Sequence, residues 1–188
     1  MQILNPVSVA HKLIQEQVYR AEILVDVTAG KGNDTLYLAE NSLATAKIYA
    51  FDIQELALRC TKEKLQEKGL ERKVTLILDN HANVKQYILR GVDVAIFNLG
   101  YLPGGNHELT TTIDTTMPAI EAMLQLLNVG GVVAITAYPG HESGKREYHY
   151  LIDFLSNLPV KNYTVSCWSM INHASTAPVV YLIEKVRS

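Results

Sequence analysis

Apolar and polar positions change period repeatedly along this chain. Over residues 7–19 the apolar positions Val7, Ala10, Leu13, Ile14 and Val18 fall at helical spacing behind Pro6, a good first-turn residue. Continuous apolar runs at 23–27, 47–52, 74–78, 92–97 and 132–138 predict buried strands. Helical patterns separate them: 33–40, then 54–68 stopped by Gly69, a short one near 82–89, 115–127 with Gly130-Gly131 as its end cap, and 146–156. Two further strands, 163–170 and 178–186, follow each other with no helix between. Strands alternating with helices imply a parallel sheet covered on both faces. The closing pair implies an antiparallel hairpin at one side, with Val179-Val-Tyr-Leu-Ile183 as a buried strand. No repeat, linker or low-complexity tract divides the chain. It is therefore expected to be one domain over 1–188, with the helix in 1–20 preceding the first sheet strand.

Composition narrows the classes. The 188 residues are 48% hydrophobic and 19% charged, ordinary for a globular protein with a sizeable core. No apolar stretch reaches the roughly 18–20 residues that cross a bilayer, and the first residues lack the pattern of a signal peptide. A cytoplasmic location without membrane contact is the expectation. A net charge of −2 argues against gripping long nucleic acid by bulk electrostatics. Lys145, Arg146, Lys161, Lys185 and Arg187 could make a local basic patch, although each reads equally well as a solvated residue. Cys60 and Cys167 are expected to be reduced core thiols rather than a disulfide. No metal site is expected, because the histidines lack close pairing and the cysteines lack C-x-x-C spacing.

The chemistry concentrates where strands end. The first apolar run leads into Asp26-Val-Thr-Ala29-Gly30-Lys-Gly32-Asn33-Asp34. Glycines there allow a tight turn and close approach to a ligand, and the helix opening at Asn33 would present unpaired N–H groups. The second run ends on Asp52, a carboxylate placed to take both hydroxyls of a ribose. A nucleoside-bearing cofactor across the carboxyl ends of the strands is the implication. Dinucleotide dehydrogenases and Class I methyltransferases share this arrangement. The dinucleotide fingerprint G-x-G-x-x-G is not completed here, since Thr35 stands at its last position. The shorter loop behind Asp26 and the final hairpin resemble the methyltransferases. That fold is a Rossmann-like α/β sheet of seven strands in the order 3-2-1-4-5-7-6, with strand seven antiparallel. Tyr181 and Lys185 have the spacing of a short-chain dehydrogenase pair, but on a strand they would stand roughly 13 Å apart, so the match is read as accidental.

The stretch Asn98-Leu-Gly-Tyr101-Leu102-Pro103-Gly104-Gly105 follows the fourth strand, and Tyr138-Pro-Gly-His141 follows the fifth. In these two loops together the chain resembles a bacterial family first labelled "putative rRNA methylases" and now understood as tRNA 5-aminomethyl-2-thiouridine methyltransferases, acting at the wobble uridine. The resemblance extends over essentially the whole chain. It departs at Asn106, where an acidic residue is common, and at Ser143, where glycine is common.

The resemblance implies S-adenosylmethionine as cofactor and tRNA as partner. An anticodon stem-loop would suffice as substrate, or a homodimer would extend the surface. Ala29, Gly30 and Gly32 would approach the methionine part, with Asn33 and Asp34 closing over it and Asp26 holding its ammonium group directly or through water. Asp52 would bind the ribose, with Ile53 and Gln54 beside the adenine. Asp79, Asn80 and His81 would read the adenine edge, although Asp79 and Asn80 serve equally as caps for the next helix. Asn98 and Leu99 would lie against the transferable methyl group. Asn98 would receive a hydrogen bond from the substrate amine, Tyr101 would stack on the flipped base, and His141 would accept the amine's proton or orient it, with His107 as second choice. Leu102, Pro103, Gly104 and Tyr138 would complete the substrate side. His11 and His173 are weaker candidates for the pocket mouth. Competing readings are the same fold acting on rRNA or a small molecule, an NAD-dependent oxidoreductase, and a non-catalytic RNA-binding module.

Overall fold

The computed structural model describes residues 5–100, 111–140 and 142–187, with backbone alone at 142 and 143. The elements run α1 (Pro6–Arg20), β1 (Ile23–Asp26), α2 (Asn33–Asn41), β2 (Lys47–Asp52), α3 (Glu55–Glu67), β3 (Val74–Leu78), β4 (Val92–Asn98), α4 (Ile113–Leu126), β5 (Leu127–Ala137), α5 (Glu142–Ser156), β6 (Tyr163–Trp168) and β7 (Val179–Lys185). The strands form one sheet in the order β3-β2-β1-β4-β5-β7-β6. β7 runs antiparallel to both its neighbours, and the other pairs are parallel. This is the Class I methyltransferase topology that the order of elements and the hairpin led us to expect.

Strand alternation divides the core into two layers. Leu24, Ile48, Val94, Ile96, Val132 and Ala134 pack with Ile14 of α1, Leu38 of α2 and Leu65 of α3. Val25, Ala95, Phe97, Val133 and Ile135 pack on the other face with Ile120 and Met123 of α4 and Leu151 and Leu155 of α5. α1 starts where the proline indicated, and the Asn5 side chain accepts from the Ser8 N–H at 2.8 Å to cap it. Among the described residues no helix is long and apolar enough to cross a membrane.

Three local expectations are corrected. Gly130-Gly131 does not cap α4, because β5 begins directly at Leu127. Val92 pairs with Leu127 and Val94 with Val132, so residues 128–131 bulge out of the strand. Gly130 takes φ 79°, and a Cβ on Gly131 would meet the Asn128 and Asp93 carbonyl oxygens at 3.0 and 3.1 Å. The short helix near 82–89 is a 3-10 turn, His81–Gln86. Neither cysteine is a core thiol: both are free, Cys60 half-buried and Cys167 exposed on β6. Tyr181 and Lys185 do lie on one strand, where Lys185 Nζ donates to the Leu124 and Leu127 carbonyls at 3.2 and 2.9 Å. The parallel strands thus deliver residues 26–34, 52–54, 79–81, 98–100 and 138–140 to one edge of the sheet.

Candidate functional site

A cavity of about 730 Å³ opens at that edge, within the usual size range of small-molecule sites. Ala29, Gly30, Asn33 and Asp34 wall it from the first loop, Asp52, Ile53 and Gln54 from the second, and Asn80 and His81 from the third. Asn98 and Leu99 face it from β4 and its loop, and Tyr138 from the end of β5. Asp26, Gly32 and Asp79 are not part of the wall.

Those three have other work. Asp26 is fully buried, and its carboxylate accepts from the Thr28 N–H at 3.2 Å and from the Thr35 hydroxyl at 2.6 Å. It pins the loop from beneath. Burial, and then the nearby Asp34 charge, push its pKa up to about 7. Gly32 sits against α3: a Cβ there would lie 2.7–2.8 Å from Thr61, the Thr61 backbone included. Its φ of 75° opens α2 in the left-handed region. Gly30 is therefore the glycine left at the cavity. Asp79 accepts from the Asn80 N–H at 2.7 Å, from Asn83 Nδ2 at 2.9 Å and from the Tyr87 hydroxyl at 2.9 Å. The side-chain bonds from Asn83 and Tyr87 hold its pKa below the ordinary carboxylate value. Asn80 caps the 3-10 turn through the Ala82 N–H at 2.9 Å while facing the cavity.

The wall residues leave donors and acceptors open to a ligand. Asp52 Oδ2 accepts from the Gly30 N–H and Oδ1 from the Gln54 N–H, both at 2.8 Å. The Ile53 N–H bears on the same carboxylate, and the four lone pairs of its two oxygens leave room for a ligand hydroxyl. Burial raises its pKa. His81 bonds the Val27 backbone through one ring nitrogen, while Nε2 is buried with no partner among the described residues. Burial pushes its pKa down to about 4, so Nε2 is a bare acceptor at neutral pH. An unpartnered buried acceptor is costly unless a ligand supplies a donor, and the exocyclic amino group of adenine is such a donor. These residues fit an adenosyl group.

Asp34, Asn98 and Tyr138 also line the cavity. The Asn98 backbone N–H donates to Thr28 Oγ1 at 2.7 Å, and Asn98 Nδ2 reaches Asp34 Oδ2 at 3.3 Å. Tyr138 is half-buried, with its pKa pushed up to about 12 by burial and then by Asp34. Tyr101, Leu102, Pro103, Gly104, His107 and His141 lie outside the described residues. Their flanks are placed, however. Gly100, Thr111 and Gly140 all reach the wall. The Gly100 N–H donates to Thr111 Oγ1 at 2.9 Å, and the Thr111 N–H returns to the Gly100 carbonyl at 3.1 Å. Glu147 of α5, nearly buried, accepts from the hydroxyls of Thr111 at 2.9 Å and Thr116 at 2.5 Å. It joins the loop after β4 to the helix after β5. No pattern in the sequence marks Glu147, Thr28 or Thr111. His11 and His173 are not wall residues; Val7 and Thr176 stand there instead.

Comparison with known proteins agrees with this geometry. A family model described as "Putative rRNA methylase" matches residues 48–184. A chloroplastic tRNA (mnm(5)s(2)U34)-methyltransferase of Arabidopsis thaliana is 31% identical over 187 residues, covering 94% of this chain and 68% of the plant protein. A crystal structure from Clostridium thermocellum, described as a putative rRNA methylase, superposes with a TM-score of 0.94 at 36% identity, covering 98% of this chain and 100% of that one. One from Streptococcus mutans, described as a putative methyltransferase in complex with S-adenosylhomocysteine, gives 0.87 at 35% identity, covering 98% and 99%.

Proposed function

The chain belongs to the rRNA-methylase family and is an S-adenosylmethionine-dependent methyltransferase, and from that premise we propose that its methyl acceptor is the 5-aminomethyl nitrogen of 5-aminomethyl-2-thiouridine at the tRNA wobble position. The observation that carries the choice is the plant relative, whose name gives that activity on tRNA. The acceptor end of the cavity supports it, since Asn98, Asp34 and Tyr138 offer oxygen atoms suited to an amine.

When bound, the cofactor supplies a methyl group already activated on a sulfonium. The chain's task is placement. Asp52 takes the ribose hydroxyls, His81 and Asn80 the adenine edge, and Gly30 lies against the methionine part. Asn98 receives an N–H of the substrate amine on its side-chain oxygen and so aims the nitrogen lone pair. Leu99, buried beside it, keeps water from that point. Alignment of this kind contributes up to ~7–11 kcal/mol in favourable systems. On this reading Tyr101 stacks on the flipped base, a contact worth ~1–3 kcal/mol, and His141 orients or deprotonates the amine. An anticodon stem-loop is the smallest substrate.

The test is transfer of a radiolabelled methyl group to bulk tRNA from a strain lacking this protein, followed by nucleoside analysis. Label should appear as 5-methylaminomethyl-2-thiouridine. Label confined to rRNA, or to another tRNA nucleoside, would overturn the reading.

A further inference from the structure

The Asn98 amide can sit two ways round, and its neighbour selects one. A carboxylate has only acceptors, so the amide nitrogen faces Asp34 Oδ2, 3.3 Å away. Asn98 lines the cavity, and with its nitrogen turned to Asp34 the side-chain oxygen is the amide atom left for a ligand. Asp34 is only 6% exposed and is held from its other side. Its Oδ1 lies 2.6 Å from His11 Nε2, on α1. Facing a carboxylate, that nitrogen carries the proton and donates. His11 is itself fixed: its ring stacks on Tyr37 of α2, centroids 3.7 Å apart and planes 4° from parallel, and the Tyr37 hydroxyl donates to the His11 carbonyl at 2.8 Å.

We infer that His11 and Asp34 are positioning residues for methyl transfer, holding the Asn98 amide with its oxygen toward the incoming amine. The inference rests on the reading of Asn98 as the group that receives the amine's N–H. Without the His11 bond the Asp34 side chain is free to swing away from Asn98, and the amide loses the neighbour that selects its orientation. A flipped amide presents N–H groups to an amine that needs an acceptor. The N-terminal helix, far from the glycine loop in sequence, thereby acts on the reacting centre.

His11→Phe keeps a ring against Tyr37 and removes the bond to Asp34. With the full chain and anticodon stem-loop substrate, kcat should fall about tenfold, with KM and the affinity for S-adenosylhomocysteine within about twofold of wild type. His11→Gln, which retains an N–H donor, should recover most of the rate. In an Asn98→Ala background His11→Phe should have no further effect on kcat. A kcat unchanged in His11→Phe, or the same fall in the Asn98→Ala background, would overturn the inference. A second measurement does not depend on the acceptor. In ¹⁵N-labelled protein with S-adenosylhomocysteine, the Asn98 side-chain N–H signal, assigned by its loss in Asn98→Ala, should exchange with solvent more slowly in wild type than in His11→Phe. Equal exchange would also overturn it. If wild type fails to methylate the stem-loop, the acceptor reading fails while the exchange measurement still decides the orientation.

Discussion

Gly30 donates its backbone N–H to Asp52 Oδ2 at 2.8 Å, linking the loop after β1 to the tip of β2. One carboxylate thus ties two walls of the cavity together, and on the proposed reading it also carries the acceptors for the cofactor's ribose.

Asp52→Asn should therefore weaken the cofactor site twice over. The amide has one oxygen for the Gly30 and Gln54 N–H groups and the ribose together. Hydrogen bonds to a charged group contribute ~1.5–3 kcal/mol, so S-adenosylhomocysteine should bind about 10- to 100-fold more weakly. Titration calorimetry measures this. Affinity within threefold of wild type would show that the ribose is held elsewhere.

Gly32→Ala should cost stability rather than cofactor affinity alone. The new methyl group would sit 2.7–2.8 Å from Thr61 backbone and side-chain atoms, and φ of 75° adds strain of ~1–2 kcal/mol. α3 must shift to make room. With ~2–4 °C of Tm per kcal/mol at this chain length, a fall of at least about 4 °C in the melting temperature of the ligand-free protein is expected. An unchanged Tm would mean that α3 gives way freely.

The architecture was legible because it rests on period. Buried parallel strands are short apolar runs, and each run here is separated from the next by a helical stripe or a turn signal. The failures lie where residue type is ambiguous. Gly130-Gly131 looks like a helix end, yet it allows a bulge against the carbonyls of Asn128 and Asp93. Asp26 and Asp34 flank the same glycines, and no spacing tells which carboxylate turns inward under the loop and which reaches the cavity. Gly30 and Gly32 are alike in sequence and differ only in whether α3 stands against them. His11 meets Asp34 across 23 residues and Glu147 meets Thr116 across 31. Such contacts follow from how helices pack on the sheet, which a one-dimensional pattern does not contain.

Glu147 ties the stem of the loop after β4 to α5. Replacing it with Ala removes the acceptor of the fully buried Thr116 hydroxyl and of Thr111. The fully buried Thr116 hydroxyl, left without its acceptor, costs ~1–3 kcal/mol, so Tm should fall by roughly 2 °C or more. Protease cleavage within 101–110 should accelerate as the stem opens. Glu147→Gln, which keeps one acceptor, should show a smaller change in both. Identical cleavage rates in all three proteins would show that Gly100 and Thr111 hold the stem unaided.

Asp26 and His81 oppose each other in the pH dependence of stability. The pKa of Asp26 rises on folding from 3.8 to about 7. As pH rises the unfolded chain releases this proton first, so its contribution is full below pH 3.8 and is lost by about pH 7. The pKa of His81 falls on folding from 6.5 to about 4. As pH falls the unfolded chain takes up this proton first, so stability present above pH 6.5 is lost by about pH 4. Both groups act over nearly the same window with opposite slopes, and wild type conceals them. Asp26→Asn removes one slope, so its unfolding free energy relative to wild type should drop on acidification from pH 7 to pH 4. His81→Phe removes the other, and its relative stability should climb over the same interval. Denaturant titrations at several pH values read both differences directly. Parallel pH profiles for the three proteins would mean that neither group changes its proton affinity on folding, and would remove the neutral acceptor that the proposed His81–adenine contact requires.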